Sequence, residues 1–437
     1  MGYISNILFA ILLVAGIGLF IIRIRKLIRN IKLGKHTGPF DHTSARWRNM
    51  IMVALGQSKM VSRPVAGFLH MMVYIGFIII NIEVLEIIVD GLLGTHRIFL
   101  PLLGKSFYGF LIGNFEVLAI LVFISVVFFW LRRNVVNIKR FVNKEMKGWP
   151  KNDGNLILYF EMVLMLLFIL MNATDPDFQK MAGGNPISQF VAPWFSGLPL
   201  ASVHLIERTA WWMHITGIFI FLNYLYYSKH LHILLAFPNT YYANLNPKGQ
   251  FTNLESVTKE VKMMMDPGAD PYAMPEGETE NEVPEKFGAS DVTDLSRVQL
   301  LNAYTCTECG RCTSACPAHL TGKALSPRSI MMKTRDRLEE VGRNLDKNKG
   351  VFKDDGKQLL NDYITPEELW ACTSCNACVE ECPVNIDPLS IITDMRRYLV
   401  MEQSAAPQEL NMMMTNIENN GAPWQYSQQD RLNWKDE

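Results

Sequence analysis

Five long apolar stretches dominate the first half of the chain, at residues 4–24, 65–89, 110–131, 156–172 and 210–227, with polar, loop-like segments between them. A helix needs about 20 apolar residues to cross a hydrocarbon core. Each stretch therefore predicts a membrane-spanning helix, the last continuing to residue 232. The fourth is the shortest and carries Glu161, with Asn155 and Asn172 at its ends. The first has the apolarity of a signal peptide, but its basic residues follow the run and no small-residue cleavage site appears, so it reads as an anchor. From residue 239 the pattern changes. Residues 239–294 are polar and acidic, with Asp266, Asp270, Pro271, Pro275, Glu276, Glu278, Glu280, Glu282 and Pro284 close together, the composition of a linker. Helical signals return over 295–402, among them Thr365-Pro366-Glu367-Glu368, a helix start with proline in its first turn. Residues 403–437, rich in Gln, Asn and Met, read as a tail. The expected fold class is all-α: a five-helix transmembrane bundle over 1–238, then a helical domain.

Lysine and arginine in the short loops set the orientation. Arg25, Lys26, Arg29, Lys32, Lys35, Arg46, Arg48, Lys59 and Arg63 follow the first run, and Arg132, Arg133, Lys139, Arg140, Lys144, Lys147 and Lys151 follow the third. The opposite loops hold only Arg97 and Lys105, then Lys180 and Arg208. This asymmetry predicts an inner-membrane protein with its N-terminus outside and everything after the fifth span in the cytoplasm.

Composition agrees with lipid contact. Of 437 residues 49% are hydrophobic and 19% charged, below the roughly 25% of soluble domains. The 42 Lys+Arg balance the 42 Asp+Glu, which leaves no field for a polyanion and argues against nucleic-acid binding.

The eight cysteines fall in two identical runs, Cys306-x2-Cys309-x2-Cys312-x3-Cys316-Pro317 and Cys372-x2-Cys375-x2-Cys378-x3-Cys382-Pro383. Each is the run expected of a [4Fe-4S] ligand set. Three closely spaced thiolates wrap three irons of one cubane, while the fourth faces away and, in two-cluster ferredoxins, serves the other cluster. The expected sets are Cys306, Cys309, Cys312 and Cys382 for one cluster and Cys316, Cys372, Cys375 and Cys378 for the other. Paired zinc sites also use C-x2-C pairs, but tetrahedral zinc has no use for this longer run repeated twice. The helical signals between the motifs point to an α-helical dicluster ferredoxin domain.

Among the nine histidines, His214 and His232 stand eighteen residues apart. On one continuous helix that is five turns, about 27 Å, on a single face. His70 sits just inside Pro64 on the second span, level with His232. Two imidazoles at one depth on different helices suit the two faces of a haem iron, and Gly67, Gly76 and Gly217 leave room for a macrocycle. A lone histidine is otherwise a core residue with a hydrogen-bond partner. His214 has no partner histidine at its own depth, and His230 is an alternative to His232. Ionisable groups inside a membrane default to function, which adds Glu83, Glu86, Asp90, Glu116 and Glu161 as proton-handling candidates, each equally readable as a packed carboxylate.

The spans resemble the cytochrome b (gamma) subunit of respiratory nitrate reductases, on Gly67-Phe68-Leu69-His70, Trp212-Met213-His214 and Ser228-Lys229-His230-Leu231-His232. That resemblance implies haem b ligation by His70 and His232. The family's second histidine on helix two falls on Ile80 here, so His214 stands as the candidate ligand of a second haem without its usual partner, and one or two haems are open. The cysteine domain resembles the small dicluster iron-sulfur subunit of heterodisulfide reductases at all eight cysteines with Pro317 and Pro383. Fusion of the two halves resembles membrane-bound heterodisulfide-reductase-like iron-sulfur oxidoreductases, including electron-transfer-flavoprotein:quinone reductases. No adjacent cysteine pair, and so no Cys-Cys-Gly motif, occurs in the sequence.

The expected function is electron transfer between a quinone or menaquinone pool and a cytoplasmic partner, a flavoprotein or Cys-Cys-Gly-containing subunit, through haem b and two [4Fe-4S] clusters. Two alternatives belong to other classes: a non-catalytic anchor and wire for a larger complex, and a membrane-tethered iron-sulfur redox sensor.

Overall fold

A computed structural model describes residues 2–38, 40–180, 184–268 and 286–436. Among these, helices account for all regular structure, and two isolated bridges stand in place of strands. Four helices are long and apolar enough to cross a membrane: α1 (Gly2–Ile31), α2 (Pro64–Leu93), α3 (Lys105–Asn134) and α4 (Trp149–Ala173). All four outrun the apolar stretches that predict them. The added turns are polar or basic at one end, with Arg29 closing α1 and Arg132 and Arg133 closing α3, where cations favour the helix dipole.

The next helix, α5 (Leu200–Tyr224), packs on α1 and α4. A single helix over 210–232 does not form. After Tyr224 come two short 3-10 turns, Leu225–Tyr227 and Lys229–Leu231, with Ser228 extended between them, and then α6 (His232–Tyr241). The cause is the buried carboxylate of Asp153 on α4. It accepts from the Tyr224 hydroxyl at 2.5 Å and from the Lys229 backbone N–H at 3.1 Å, drawing away an amide that a continuing helix would use. His214 therefore stays on α5 while His232 opens α6, and the shared helical face expected from their spacing is lost.

Within the bundle α2 packs on α3, α3 on α4, and α4 on α5. The core between them holds Phe9, Tyr108, Phe115, Ala119, Phe168 and Ile215, all buried. Gly76 makes the α2–α3 approach possible, since a Cβ there would lie 2.3 Å from Val122 Cγ2. Gly67 abuts the Met60 carbonyl and Gly217 abuts Leu164 in the same way. These three glycines therefore serve close packing of the chain at Met60, Val122 and Leu164.

At the end of the bundle far from the cysteines, buried polar groups tie the connecting segments. Asp90 accepts from Thr95 Oγ1 at 2.6 Å, Arg97 N at 2.7 Å and Ile98 N at 3.1 Å. Arg97 in turn donates to Asp175 at 2.8 Å, to the Tyr108 hydroxyl at 3.1 Å and to Asn172 Oδ1 at 3.0 Å.

The chain then forms α7 (Glu255–Met265), α8 (Arg297–Thr305), α9 (Arg311–Ala315), α10 (Pro327–Lys347), α11 (Pro366–Trp370), α12 (Ala377–Glu380), α13 (Pro388–Met401) and α14 (Gln408–Asn420). The stretch expected to be a linker is structured on both flanks, by α6 and α7 before and by a packed segment after, where Val292 and Leu295 are fully buried. Asp270 to Pro284, its acidic centre, lies outside the described residues. The tail carries α14. Thr365 caps α11 by bonding the Glu368 N–H at 3.2 Å, with Glu368 returning the bond to Thr365 N at 2.9 Å.

The cysteine domain seats directly on the bundle. On α1, Asn30 donates to the Tyr304 hydroxyl at 2.9 Å and Arg29 to the Gly342 carbonyl at 3.0 Å, while α6 lies against α8.

Two outcomes follow from this packing. Gly76→Val is expected to cost about 1–3 kcal/mol by overpacking the α2–α3 contact, seen as a lower thermal unfolding midpoint in detergent. Burial alone would raise the Asp175 carboxyl, but the His96 hydrogen bond and the Arg97 charge hold it well below the usual range. Its stabilising contribution is therefore present above the ordinary carboxylate pKa of about 4 and is lost as pH falls below that. Asp175→Asn is expected to flatten this acid limb of the midpoint-against-pH curve.

Candidate functional site

The two cysteine runs fold into loops of the same backbone shape. In the first, Cys306 ends α8, Glu308 takes φ of 53° and Gly310 takes 72° before α9 begins. In the second, Ser374 takes 57° and Asn376 takes 60° before α12. The left-handed residues thus recur two and four positions after the first cysteine of each run. That alternation turns backbone N–H groups inward, the concave arrangement suited to negative charge. Ser374 N–H lies 3.4 Å from the Cys372 sulfur and Ile386 N–H 3.3 Å from that of Cys382.

Gly310 is required for a second reason. A Cβ there would stand 2.4 Å from Arg328 Nη1. Arg328 is fully buried beneath the loop and reaches past it to the α3–α4 connection, donating to the Arg140 carbonyl at 2.7 Å and to Glu145 at 2.7 Å. Arg396 supports the second loop, bonding the Leu369 and Cys372 carbonyls and stacking on Trp370 at 4.9 Å.

Helices α9 and α12 pack together and interleave the two runs. Cys316, Cys372, Cys375 and Cys378 line one small cavity, so the last thiol of the first run joins the first three of the second. Cys312 is in electrostatic reach of Cys309, Cys306 and Cys382 and also of Cys378, and Cys382 of Cys309. Among the described residues no three His, Cys, Asp or Glu side chains converge tightly enough to hold one metal ion. Burial pushes the Cys306 thiol up to about 12 and that of Cys382 up to about 11, and raises Cys312, Cys372 and Cys378 by the same cause. Such thiols are protonated at neutral pH, so metal binding releases protons there.

The group containing Cys306, Cys309, Cys312 and Cys382 faces the bundle, whereas Cys375 in the other is exposed. Polar contacts hold the first group in place. Lys59 donates to the Cys382 carbonyl at 3.3 Å, Arg311 to the Lys59 carbonyl at 3.0 Å, Arg63 pairs with Glu381 at 3.1 Å, and Asn239 bonds the Val384 carbonyl at 2.8 Å. The central contact is Glu308, 3% exposed, which pairs with Lys229 and, at 2.7 Å, with Arg335. Burial would raise the Glu308 carboxyl, but Lys229 and Arg335 bring it below its ordinary value.

Lys229 belongs to the turn that precedes His230 and His232. The rings of His70 and His232 lie 6.5 Å apart, centre to centre, with planes at 40°. His232 Nδ1 is 3.2 Å from the Lys229 carbonyl, which can only accept, so Nε2 keeps its lone pair. His70 Nδ1 is buried with no partner. His230 packs beside His232 at 5.3 Å, with its Nε2 3.6 Å from Glu161 Oε1. His214 is buried away from these, its Nδ1 3.1 Å from the Leu164 carbonyl and its ring beside Phe168. Of the membrane carboxylates, Glu86 accepts from Phe99 N and the Tyr108 hydroxyl, each at 2.9 Å, and Glu116 from Asn172, Ile187 N and Ser188 N. With Asp90 they anchor loops. Glu83 has a buried oxygen, Oε2, without a partner.

Lys229, Glu308, Arg328 and Arg311 are not marked as site residues by the sequence. Each pairs with a residue tens to hundreds of positions away, and no local pattern signals such a pair.

Residues 305–386, which contain all eight cysteines, match the 4Fe-4S dicluster domain family. The chain is 28% identical over 464 residues to a probable iron-sulfur-binding oxidoreductase of Bacillus subtilis, covering 99% of this chain and 61% of that protein. It is 24% identical to an EtfAB:quinone oxidoreductase of Syntrophomonas wolfei, covering 91% and 55%. A probable membrane-anchored ferredoxin of Chromohalobacter salexigens is 32% identical over 34% of this chain and 24% of its own length. The chain thus spans about three-fifths of the length of the first two of these curated relatives, both oxidoreductases by name and the first of them a probable iron-sulfur-binding one. No solved structure matches it.

Glu308→Gln leaves Lys229 and Arg335 without their buried counter-charge, at an expected cost of about 3–5 kcal/mol. The cluster absorbance of the variant is expected to bleach at a lower temperature than that of the wild type.

Proposed function

We propose that the protein carries electrons between a quinone pool and a cytoplasmic redox partner, through a haem b at the His70–His232 pair and two [4Fe-4S] clusters. The observation that carries this reading is the 6.5 Å separation of the two imidazole rings. Metal–imidazole bonds are about 2 Å long, so two rings on opposite faces of one iron have centres about 6 Å apart. The free Nε2 of His232, fixed by its Nδ1 contact to the Lys229 carbonyl, is the arrangement that metal-ligating histidines use. The unpartnered His70 nitrogen supplies the complementary observation. When bound there, the haem would supply one-electron chemistry. His214 lacks a comparable partner, so a single haem is assigned.

The cluster ligands in this reading are Cys306, Cys309, Cys312 and Cys382 for one cubane and Cys316, Cys372, Cys375 and Cys378 for the other. The loop geometry and the cavity shared by the second set support that division. The second cluster, beside exposed Cys375, meets the soluble partner, and the first lies against the bundle. Arg311 lies between them and the histidines, within electrostatic reach of Cys309, Cys382 and His70.

In the membrane α5 serves as the fifth span, although Glu207 and Arg208 interrupt its apolarity. The loop charges favour an N-terminus outside and clusters in the cytoplasm. The quinone link draws support from the relative whose name includes quinone. The partner is a flavoprotein or a Cys-Cys-Gly-containing subunit.

Purified protein tests this directly. Pyridine haemochrome assay is expected to find one haem b per chain with about eight non-haem irons. His70→Leu and His232→Leu should each abolish the haem and leave the non-haem iron, while His214→Leu keeps both. Retention of haem in either of the first two variants would overturn the assignment.

A further inference from the structure

A cavity of about 580 Å³ opens where the start of α2, the end of α3 and the cysteine domain meet. It plays no part in the reading above. Its walls include Arg63, Arg132, Lys139, Arg140, Val65 and Ser314. Four cations around one cavity repel one another, and Arg63, Arg132 and Arg311 all act on Arg140 with that sign, opposed by Cys309. Arg63 is engaged by Glu381 at 3.1 Å. Arg132 Nη1 and Arg140 Nε, in contrast, are buried without any hydrogen-bond partner. These two nitrogens have no surface open to the cavity, so what it offers an anion is the charge of Arg63, Arg132, Lys139 and Arg140, with Glu381 engaging Arg63.

The start of α2 contributes to the same point. Its first helical residue is Pro64, which has no N–H, and the amides of Val65 and Ala66 precede the first intrahelical acceptor. The positive end of a 30-residue helix therefore faces the cavity, favourable for a phosphate or similar group.

What surrounds the mouth distinguishes among anions. Val61, in the turn before α2, and Val65 and Phe68, in its first turns, are exposed at 62%, 68% and 64%, an apolar ridge at the start of a helix apolar enough to span a membrane. A ligand with both a charged head and an apolar body fits cations below and this ridge above, whereas a free anion has no use for the ridge.

We propose that this cavity binds the phosphate headgroup of an anionic phospholipid, with its acyl chains along the Val61–Val65–Phe68 ridge. The lipid completes the contact between α2, α3 and the cysteine domain, since Arg140 lies beside the backbone carbonyl that Arg328 grips and Ser314 lies inside the first cysteine run.

The test uses the full chain, purified in detergent and titrated with phosphatidylglycerol, phosphatidylcholine or inorganic phosphate, with bound lipid counted by native mass spectrometry. One phosphatidylglycerol per chain should be retained, phosphatidylcholine should not be, and phosphate at equal phosphorus should not displace the lipid. Removing a basic charge near a lipid surface weakens binding about fivefold, so Arg132→Gln with Arg140→Gln should weaken it about 25-fold. Iron content per chain reports whether that variant has folded. Lys139→Gln, on an exposed residue, gives an independent variant with about a fivefold loss expected. Equal retention of phosphatidylcholine, unchanged affinity in the variants, or full displacement by phosphate would each overturn the proposal.

Discussion

The arrangement of this protein depends on a buried carboxylate in the wrong place for stability and the right place for assembly. Glu308 sits in a left-handed turn between two cysteines, shielded from water, with Lys229 and Arg335 against it. Burying a carboxylate is costly, and attraction to its partners offsets that cost only when the geometry is good and further hydrogen bonds are made. Here Lys229 also donates to the Pro150 carbonyl at 2.7 Å and lies 3.8 Å from Asp153. The pair therefore joins three segments at once: the first cysteine loop, the start of α4 and the turn that leads into His230 and His232. Displacing any of them would leave a charge stranded in a low-dielectric interior.

The remaining contacts between the halves follow the same logic with smaller groups. Backbone carbonyls of Lys59, Arg140 and Cys382 each accept from a long cationic side chain on the opposite half. Such bonds reach between chain segments that share no secondary structure. They set one cysteine group against the end of the bundle where His70 and His232 meet and leave the other toward solvent. The order from exposed Cys375 to half-buried His70 is thus fixed by bonds donated in both directions across the junction.

Much of this is legible along the chain. Apolar run length locates α1 to α4, because a lipid environment forces every backbone group to be satisfied within a helix. The repeated cysteine spacing locates both loops, because thiolate spacing is set by the cluster they suit. The capping residues Thr365 and Glu368 mark the start of α11. The expected continuity of 210–232 fails for an instructive reason. Asp153 lies some 70 positions upstream, and neither the apolarity nor the spacing of residues 210–232 signals that a carboxylate from another helix will take the Lys229 amide. Gly67, Gly76 and Gly217 do mark places of close approach, but the sequence does not say what approaches: here it is the Met60 carbonyl, Val122 and Leu164.

Local chemistry and periodicity determined the kinds of part present: apolar helices, two loops of four cysteines, a polar connecting stretch, and histidines at chosen depths. These follow from interactions within a few turns of chain, where residue type and spacing are sufficient. Only the tertiary structure decided which parts meet. The break between α5 and α6, the burial of Glu308 between Lys229 and Arg335, the seating of the first cysteine loop on the bundle and the cationic cavity beside α2 all depend on contacts between distant residues. Long-range pairs of this kind are set by packing and burial together, so no single segment carries their signature.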